Sequence, residues 1–310
     1  MRIVFMGTPQ FAVKTLDAIF HSKHGVVGVV TSTDKPAGRG RNIQQSEVKK
    51  YAFKNNIKLF QPERLKDGEF IAELKALNAD LFIVVAFRML PKVIWEIPKK
   101  GTVNLHGSIL PNYRGAAPIN WAIINGEKES GVTTFFINEK IDTGDVLLVE
   151  KTKIQDGQTA GELHDELMEI GSKLVIKTVS NLETGILKTK KQIISESQNI
   201  APKLNRKNTK INWSKEDIKI RQFILGLNPY PGAWTLLSNN GRQLNFKIFK
   251  VQTSNIKTNE KLISVQENKL YIGTNTNALE LLEIQLEGKK RMNANEFIKG
   301  NKNIDQFIIL

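Results

Sequence analysis

Short apolar runs alternate with amphipathic segments through the first third of the chain, which leaves few folds open to it. The apolar runs are rich in β-branched residues and are predicted strands: Ile3–Met6, Val26–Val30, Leu81–Ala86 and Val103–Leu105. The segments between them carry apolar residues at helical spacing: Phe11–Phe20, Ser46–Phe53, Ile71–Leu77 and Pro91–Ile97. Strands and helices in alternation predict an α/β fold, a doubly wound and mostly parallel sheet with helices on both faces.

The last third of the chain has a different pattern. Residues 188–208 are polar, rich in Lys, Gln, Ser and Asn, and contain Pro202. Short predicted strands at close spacing follow a predicted helix at Ser214–Leu225, which is typical of a small antiparallel barrel. We therefore predict a catalytic domain over residues 1–187, a linker over 188–208 and a smaller C-terminal barrel domain over 209–310.

Charge and composition exclude several classes of protein. The net charge is +14, and residues 201–310 contribute +9 of it, with 18 Lys and Arg against 9 Asp and Glu. This excess favours a polyanionic partner such as nucleic acid, although a generally basic surface is the alternative. Cysteine is absent, which excludes disulfides and thiolate metal sites. With no apolar run near the ~20 residues of a membrane span and no signal peptide, we expect a cytoplasmic protein that does not bind membranes. We also expect a monomer.

The stretch NLHGSILPNYRG, from Asn104 to Gly115, places one of only four histidines at the end of a predicted strand. Side chains on a strand alternate between faces, so Asn104 and His106 point the same way. Ligands bind at the carboxyl ends of strands in open α/β sheets. There an imidazole can exchange a proton near neutral pH, and an amide can donate to a developing oxyanion. A packed core histidine is the competing interpretation. A metal site is disfavoured, since no second histidine lies at ligand spacing.

A second short stretch, IDTGD at Ile141–Asp145, lies between two predicted strands. Asp and Gly are ordinary turn residues, so a plain loop is one interpretation. A loop carboxylate beside a strand-end imidazole would instead orient the ring and favour its protonated form. Whether Asp142 meets His106 is left open by the pattern alone.

Together these motifs resemble a known family. NLHGSILPNYRGAAPINWAI and GVTTFFINEKIDTGDVL are similar to the formyltransferases that use 10-formyltetrahydrofolate: they share the Asn-x-His pair, the Ser-x-Leu-Pro-x-x-x-Gly signature and the distant Asp. The resemblance implies the Rossmann-like formyltransferase fold with Asn104, His106 and Asp142 as the catalytic trio. It also implies 10-formyltetrahydrofolate as the formyl donor and no metal. The implied donor-binding residues are Ser108, Ile109, Leu110, Pro111, Ala86 and Phe87.

Two further loops bear on the formyl acceptor. MGTPQFAV at Met6–Val13 lacks the G-x-G-x-x-G pattern, which disfavours a nicotinamide dehydrogenase. It resembles the corresponding loop of the family members that formylate methionyl-tRNA. DKPAGRGRN is a basic, Gly-rich loop whose plain interpretation is a solvated surface segment. It is similar to the family's inserted loop that engages the acceptor end of tRNA, which implies Arg39 as the main contact, with Lys35 and Arg41 beside it.

The C-terminal third also resembles those members, whose OB-like barrel binds tRNA. Lys289, Lys290 and Arg291 form a basic run that we predict to contact phosphates, with a solvated face as the alternative. For three aromatic residues of this region that could stack on bases, Trp213, Tyr230 and Trp234, core packing is preferred.

One segment departs from the family. Ala86–Pro91, which lines the family's pterin pocket through its backbone, is one residue shorter than usual and lacks the glycine. The overall expectation is formyl transfer to the α-amino group of methionyl-initiator-tRNA for translation initiation. Formylation of an amino-sugar nucleotide and noncatalytic RNA binding are the alternatives.

Overall fold

Four consecutive residues, Ile3 to Met6, have no solvent-exposed surface. Because successive side chains of a strand point to opposite faces, both faces of this strand are covered, as in parallel sheets flanked by helices. A computed structural model of the chain describes residues 1–37, 42–193, 195–239 and 241–310. Every helix in those ranges is too short or too polar to cross a lipid bilayer.

The chain divides into two compact units. One comprises Met1–Pro118, Ser130–Thr152 and His164–Ile200, and the other comprises Ile119–Glu129, Lys153–Leu163 and Ala201–Leu310. The predicted boundaries after residues 187 and 208 stay a prediction.

The elements of the first two thirds of the chain agree closely with the predicted pattern. The strands are β1 (Arg2–Gly7), β2 (Gly25–Val30), β3 (Lys35–Ala37), β4 (Asn42–Gln44), β5 (Leu59–Phe60), β6 (Leu81–Val85), β7 (Thr102–His106), β8 (Arg114–Gly115), β9 (Glu129–Phe136) and β10 (Val146–Lys153). The helices are α1 (Gln10–Phe20), α2 (Glu47–Lys54), α3 (Gly68–Ala76), α4 (Lys92–Trp95), α5 (Pro118–Ile124) and α6 (Ala160–Thr184).

Local side-chain chemistry explains where two of these helices begin. The hydroxyl of Ser46 accepts a hydrogen bond from the backbone of Lys49 at 3.0 Å and caps α2. The carboxylate of Asp67 accepts one from the backbone of Phe70 at 2.9 Å and caps α3. Each cap satisfies a backbone N–H group that the helix itself leaves unpaired.

The first unit is built on a seven-stranded sheet with the order β10-β9-β7-β6-β1-β2-β5. Strand β1 pairs in parallel with β2 and β6, and β6 pairs in parallel with β7. Strand β9 joins β7 in the antiparallel direction, with Thr133 opposite His106 and Phe135 opposite Asn104. The predicted mostly parallel, doubly wound sheet is confirmed, and β7 delivers Asn104 and His106 to its carboxyl end.

The second unit contains a nearly closed antiparallel barrel. Its strands are β12 (Ala233–Asn239), β13 (Arg242–Thr253), β14 (Ile263–Gln266), β15 (Lys269–Ile272), β16 (Leu279–Leu286), β17 (Met292–Asn293) and β18 (Ile308–Ile309), preceded by β11 (Ile200–Ala201). They follow the order β14-β15-β16-β13-β12-β18, and β17 pairs with β16. The helices are α7 (Asp217–Leu227) and α8 (Ala294–Gly300). The OB-like prediction is confirmed.

Three aromatic residues of the second unit, for which core packing was predicted, differ in their surroundings. Trp213 is 1% exposed and lies in the core of the barrel, with its indole N–H donating to the Thr235 hydroxyl at 3.3 Å. Trp234 is also buried, with the Arg206 guanidinium 4.1 Å from its ring centroid. Tyr230 is 82% exposed, so the core-packing prediction is wrong for this residue. It lies between two prolines in a turn, which directs its ring to solvent.

Candidate active site

The imidazole of His106 is almost completely buried at the carboxyl end of β7, with 6% of the residue exposed. Its Nε2 atom lies 2.8 Å from the carbonyl oxygen of Tyr113. A carbonyl oxygen only accepts hydrogen bonds, so Nε2 must carry a proton. The ring of Phe135 packs edge-on against the imidazole, with 6.5 Å between the ring centroids. The ring is therefore held in one orientation, and Nδ1 is the nitrogen left for proton exchange.

The carboxylate of Asp142 faces that second nitrogen. Its Oδ2 atom lies 3.7 Å from Nδ1 of His106, which is ion-pair range but too long for a direct hydrogen bond. The same oxygen accepts a hydrogen bond from the backbone N–H of Gly115 at 2.9 Å. The fold thus brings together the two residues whose meeting the sequence left open, across 36 positions of chain.

The backbone conformation of the 141–145 loop places this carboxylate. Asp142 has a φ of +53°, in the left-handed region that costs a non-glycine residue about 1–2 kcal/mol. A side chain at Gly144 would overlap the carbonyl oxygen of Phe136, so only glycine fits there. Asn138 also stabilises this loop, because its Oδ1 atom accepts a hydrogen bond of 2.9 Å from the Thr143 hydroxyl.

The segment from Ser108 to Pro111, predicted to contact the folate, is held in place by two hydrogen bonds to the side chain of Thr133. The Thr133 hydroxyl donates to the carbonyl oxygen of Ser108 at 2.7 Å and accepts the backbone N–H of Leu110 at 3.1 Å. The Ser108 hydroxyl in turn donates to the carbonyl oxygen of Asn112 at 2.7 Å. Ser108 and Leu110 are buried, whereas Ile109 and Pro111 are half-buried.

The shortened segment after β6 adopts a conformation usually reserved for glycine. Ala86 has a φ of +48°, so the chain makes the turn here without the glycine that the family usually has. The Phe87 ring lies under the guanidinium of Arg88, at 5.6 Å. Arg88 donates to the carbonyl oxygens of Pro62 and Glu63, the latter at 2.9 Å, and so ties this segment to the chain beyond β5.

Comparison with known proteins agrees with this geometry. The family described as Formyl transferase matches residues 1–179, and its C-terminal domain matches residues 203–302. Methionyl-tRNA formyltransferase of Flavobacterium johnsoniae is 51% identical to this chain over 303 residues, which cover 97% of this chain and 96% of that protein. The enzyme of Azobacteroides pseudotrichonymphae is 48% identical over 310 residues, with 97% and 96% covered.

The chain belongs to the methionyl-tRNA formyltransferase family. Its fold is shared more widely. The solved structure of WlaRD, a sugar 3N-formyl transferase, superposes with a TM-score of 0.65 at 24% identity, covering 94% of this chain and 99% of that one.

The predicted tRNA-binding residues fall into two groups. Lys35 is exposed on the short ribbon of β3 and β4, whereas Arg39 and Arg41 lie outside the described residues. Asp34 precedes this ribbon, and its carboxylate accepts a hydrogen bond of 2.6 Å from the Lys49 ammonium group. That hydrogen bond, supported by one from Gln61, lowers the pKa of the Asp34 carboxyl.

The second group lies in the turn between β16 and β17. Lys289 and Lys290 are exposed. Arg291 makes two hydrogen bonds to the Glu283 carboxylate, both of 2.6 Å, and lies 4.1 Å from the Phe249 ring centroid. Its charge is thus already paired within the barrel, and its contact with RNA stays a prediction.

Several residues that shape the site were missed at the sequence level. Thr133 and Tyr113 are two of them, and Gln192 is a third, since its side chain donates to the backbone of the Asp142 loop. Two threonines in the otherwise apolar run GVTTFF were a usable signal for Thr133. A backbone carbonyl such as that of Tyr113 leaves no trace in the sequence. In the described ranges, no three histidine or carboxylate side chains come together as ligands for a metal ion.

Proposed function

We propose that this chain transfers a formyl group from 10-formyltetrahydrofolate to the α-amino group of methionyl-initiator-tRNA, the step that prepares the initiator for translation. The observation that carries the proposal is the Asp142 carboxylate 3.7 Å from Nδ1 of a buried His106. Asn104 lies on the same face of β7, and the chain belongs to a family named for this reaction. We propose that it acts in the cytoplasm, as a monomer.

The reaction begins with the acceptor amine. A free α-amine has a pKa of about 7.7–8.0. Esterification of methionine to tRNA removes the neighbouring carboxylate, so more of the amine is neutral near pH 7. Its lone pair attacks the formyl carbon and forms the new C–N bond. A covalent enzyme intermediate is not required.

The resulting tetrahedral intermediate carries a negative oxygen, which the site can stabilise from two sides. The Asn104 amide is one donor. The other is the N–H at Nδ1 of the protonated His106, because Nε2 is already committed to the Tyr113 carbonyl. Preorganised donors of this kind each contribute about 10²–10³ to the rate.

The proton released by the amine needs an acceptor. Asp142 lies beside the reacting imidazole and can receive it directly or through a water molecule. The oxyanion then re-forms the carbonyl, the bond to N10 breaks, and N10 takes up the proton held by Asp142 as tetrahydrofolate leaves. The products are formyl-methionyl-tRNA and tetrahydrofolate, so atoms and charge balance without a metal.

We assign the formyl donor to the surface formed by Ser108, Ile109, Leu110 and Pro111 on one side and Ala86 and Phe87 on the other. These residues follow β7 and β6, two strands that are adjacent in the sheet. Backbone groups of both segments are suited to a flat heterocycle, which presents several donors and acceptors at its edge. WlaRD, which shares the fold, was crystallised with dTDP and 5-N-formyl-THF.

We assign the tRNA to the two basic groups already described: Lys35, Arg39 and Arg41 on the first unit, and Lys289, Lys290 and Arg291 on the second. The net charge of +9 over residues 201–310 supports contact with a phosphate backbone. Each phosphate contact releases counterions, so binding of tRNA should weaken steeply as salt concentration rises.

The test is transfer of labelled formyl from 10-formyltetrahydrofolate into methionyl-initiator-tRNA by the purified full-length chain. The variants Asn104→Ala, His106→Ala and Asp142→Ala should fold normally and each lose about 10²–10³ in kcat. A matched control is His21→Ala, which removes another imidazole facing a carboxylate: exposed His21 follows the last residue of α1 and lies 3.3 Å from Asp17. Its kcat should equal that of the wild type.

The outcome also separates the alternatives. Formylation of an amino-sugar nucleotide in place of charged tRNA would replace the proposed acceptor. Binding of RNA without any formyl transfer would refute catalysis altogether. A wild-type kcat in any of the three site variants would remove that residue from the mechanism.

A further inference from the structure

The segment that follows α6 reaches back to the loop that carries Asp142. Lys190 and Val146 exchange two backbone hydrogen bonds, each of 2.8 Å, which fix this segment beside the first residue of β10. Two residues further on, Nε2 of Gln192 donates to the carbonyl oxygen of Asp142 at 3.0 Å and to that of Gly144 at 2.8 Å. One amide group therefore bridges both ends of the Asp142–Gly144 turn.

The chemistry of the bridge requires an amide in this orientation. Both N–H groups of Nε2 are used, one for each carbonyl oxygen. The Oε1 atom is buried and has no hydrogen-bond partner among the described residues. Rotating the amide by 180° would set that oxygen against two carbonyl oxygens, and a glutamate at this position would do the same with a negative charge. The two carbonyl oxygens of Asp142 and Gly144 therefore require an N–H donor at this position.

The turn that Gln192 bridges is the one that aims the carboxylate. Asp142 is in the left-handed conformation, with a φ of +53°, and a relaxed backbone would rotate its side chain away. In the held conformation Oδ2 accepts the Gly115 N–H at 2.9 Å and lies 3.7 Å from Nδ1 of His106. Hydrogen bonds to the carbonyls on either side of the turn resist that rotation.

We propose that Gln192 is a positioning residue for formyl transfer, whose side-chain amide holds the Asp142–Gly144 backbone so that the carboxylate faces the imidazole. This inference rests on the proposed function, because it assigns Gln192 a role only through Asp142. It also explains why a residue in a polar, irregular stretch far along the chain belongs to the active site.

The first test compares Gln192→Leu and Gln192→Glu with the wild type in steady-state formyl transfer. A catalytic group displaced by ~1 Å costs about 10²-fold in rate, so we expect a loss of about 10- to 100-fold in kcat. The KM values for both substrates should stay within twofold, because Gln192 is not among the residues assigned to either of them. Gln192→Glu keeps the size and polarity of the side chain, so it tests the donor role if Gln192→Leu folds poorly.

Gln198 offers a matched control in the same segment. Its Nε2 atom donates to a backbone carbonyl, that of Ile193 at 2.8 Å, and its Oε1 atom is likewise buried without a partner among the described residues. Gln198→Leu removes the same kind of hydrogen bond, but one that goes to the carbonyl oxygen of Ile193 and not to the Asp142 loop. It should change thermal stability only and leave kcat unchanged. An equal loss of kcat in both Leu variants would show a purely structural effect and overturn the proposal.

A double-mutant cycle decides whether Gln192 acts through Asp142. In an Asp142→Asn background, Gln192→Leu should cause no further loss of kcat, because the carboxylate it positions is gone. The same fold-loss in both backgrounds would overturn the proposal. If Asp142→Asn lowers kcat and Gln192→Leu does not, only the role of Gln192 fails. If Asp142→Asn itself has wild-type kcat, the proposed function of Asp142 fails first and this inference falls with it.

Discussion

Replacing Thr133 with valine removes the hydroxyl group that holds the 108–111 segment, which we assign to the formyl donor, and leaves the shape of the side chain nearly unchanged. That hydroxyl donates to Ser108 at 2.7 Å and accepts from Leu110 at 3.1 Å, and Thr133 has no exposed surface. In Thr133→Val, a backbone carbonyl and a backbone N–H therefore lose their partner together, in a place that water does not reach.

The magnitude follows from those two groups. A buried polar group without a partner costs about 1–3 kcal/mol, so two of them should lower the free energy of unfolding by about 2–6 kcal/mol. The segment can escape part of this cost by shifting, which displaces the surface assigned to the formyl donor. If this shift weakens binding of the formyl donor by about 1.4 kcal/mol, the size of one hydrogen bond, KM for 10-formyltetrahydrofolate rises about tenfold.

The assay is urea denaturation together with steady-state kinetics at varied donor concentration. Thr133→Ser keeps the hydroxyl and should retain a KM close to that of the wild type. Thr134→Val is the matched control on the opposite face of β9. Its hydroxyl lies 2.8 Å from that of Thr178 and accepts the Leu148 N–H at 3.2 Å. It should lose comparable stability with the donor KM unchanged.

Two results would refute the reasoning. If Thr133→Val were as stable as the wild type, the two backbone groups would not depend on this hydroxyl. If its donor KM matched that of Thr134→Val, the 108–111 segment would not be positioned by Thr133, whatever the loss of stability.

Three further predictions concern individual backbone and charge features. Ala86→Gly relieves a left-handed conformation and should raise the free energy of unfolding by about 1 kcal/mol in urea denaturation, where a decrease would contradict the assignment. Gly144→Ala should lower kcat by about 10²-fold, because its Cβ would overlap a backbone carbonyl oxygen and displace the Asp142 loop; Gly68→Ala, in open space, is the control and should not. Because the pKa of Asp34 is lowered, its contact with Lys49 stabilises the fold fully above pH 3.8, and this stabilisation is lost as the pH falls further. Asp34→Asn should therefore lose less stability on acidification than the wild type, as measured by the free energy of unfolding at a series of pH values.

The sequence pattern identified the part of the site that depends on regular structure. Asn104 and His106 lie two apart on one strand, so their common face follows from the period of a strand. The position of that strand end among parallel neighbours follows from the alternation of strands and helices. The family motif added the donor segment and the distant Asp. The prediction that Tyr230 is buried was wrong, because it rested on the apolar area of the aromatic ring and not on the two prolines beside it, which indicate a surface turn.

The rest of the site was decided by tertiary structure. The carbonyl of Tyr113, the hydroxyl of Thr133 and the amide of Gln192 come from three separate segments, and each acts on one of the predicted site residues. Local periodicity says which way a side chain points, because it depends only on neighbouring bonds. It does not say which distant backbone group that side chain will meet, because this depends on how the loops close and on where every hydrogen-bond donor and acceptor finds its partner. The residue types of the reaction centre were therefore set by the sequence, and their working distances were set by the fold.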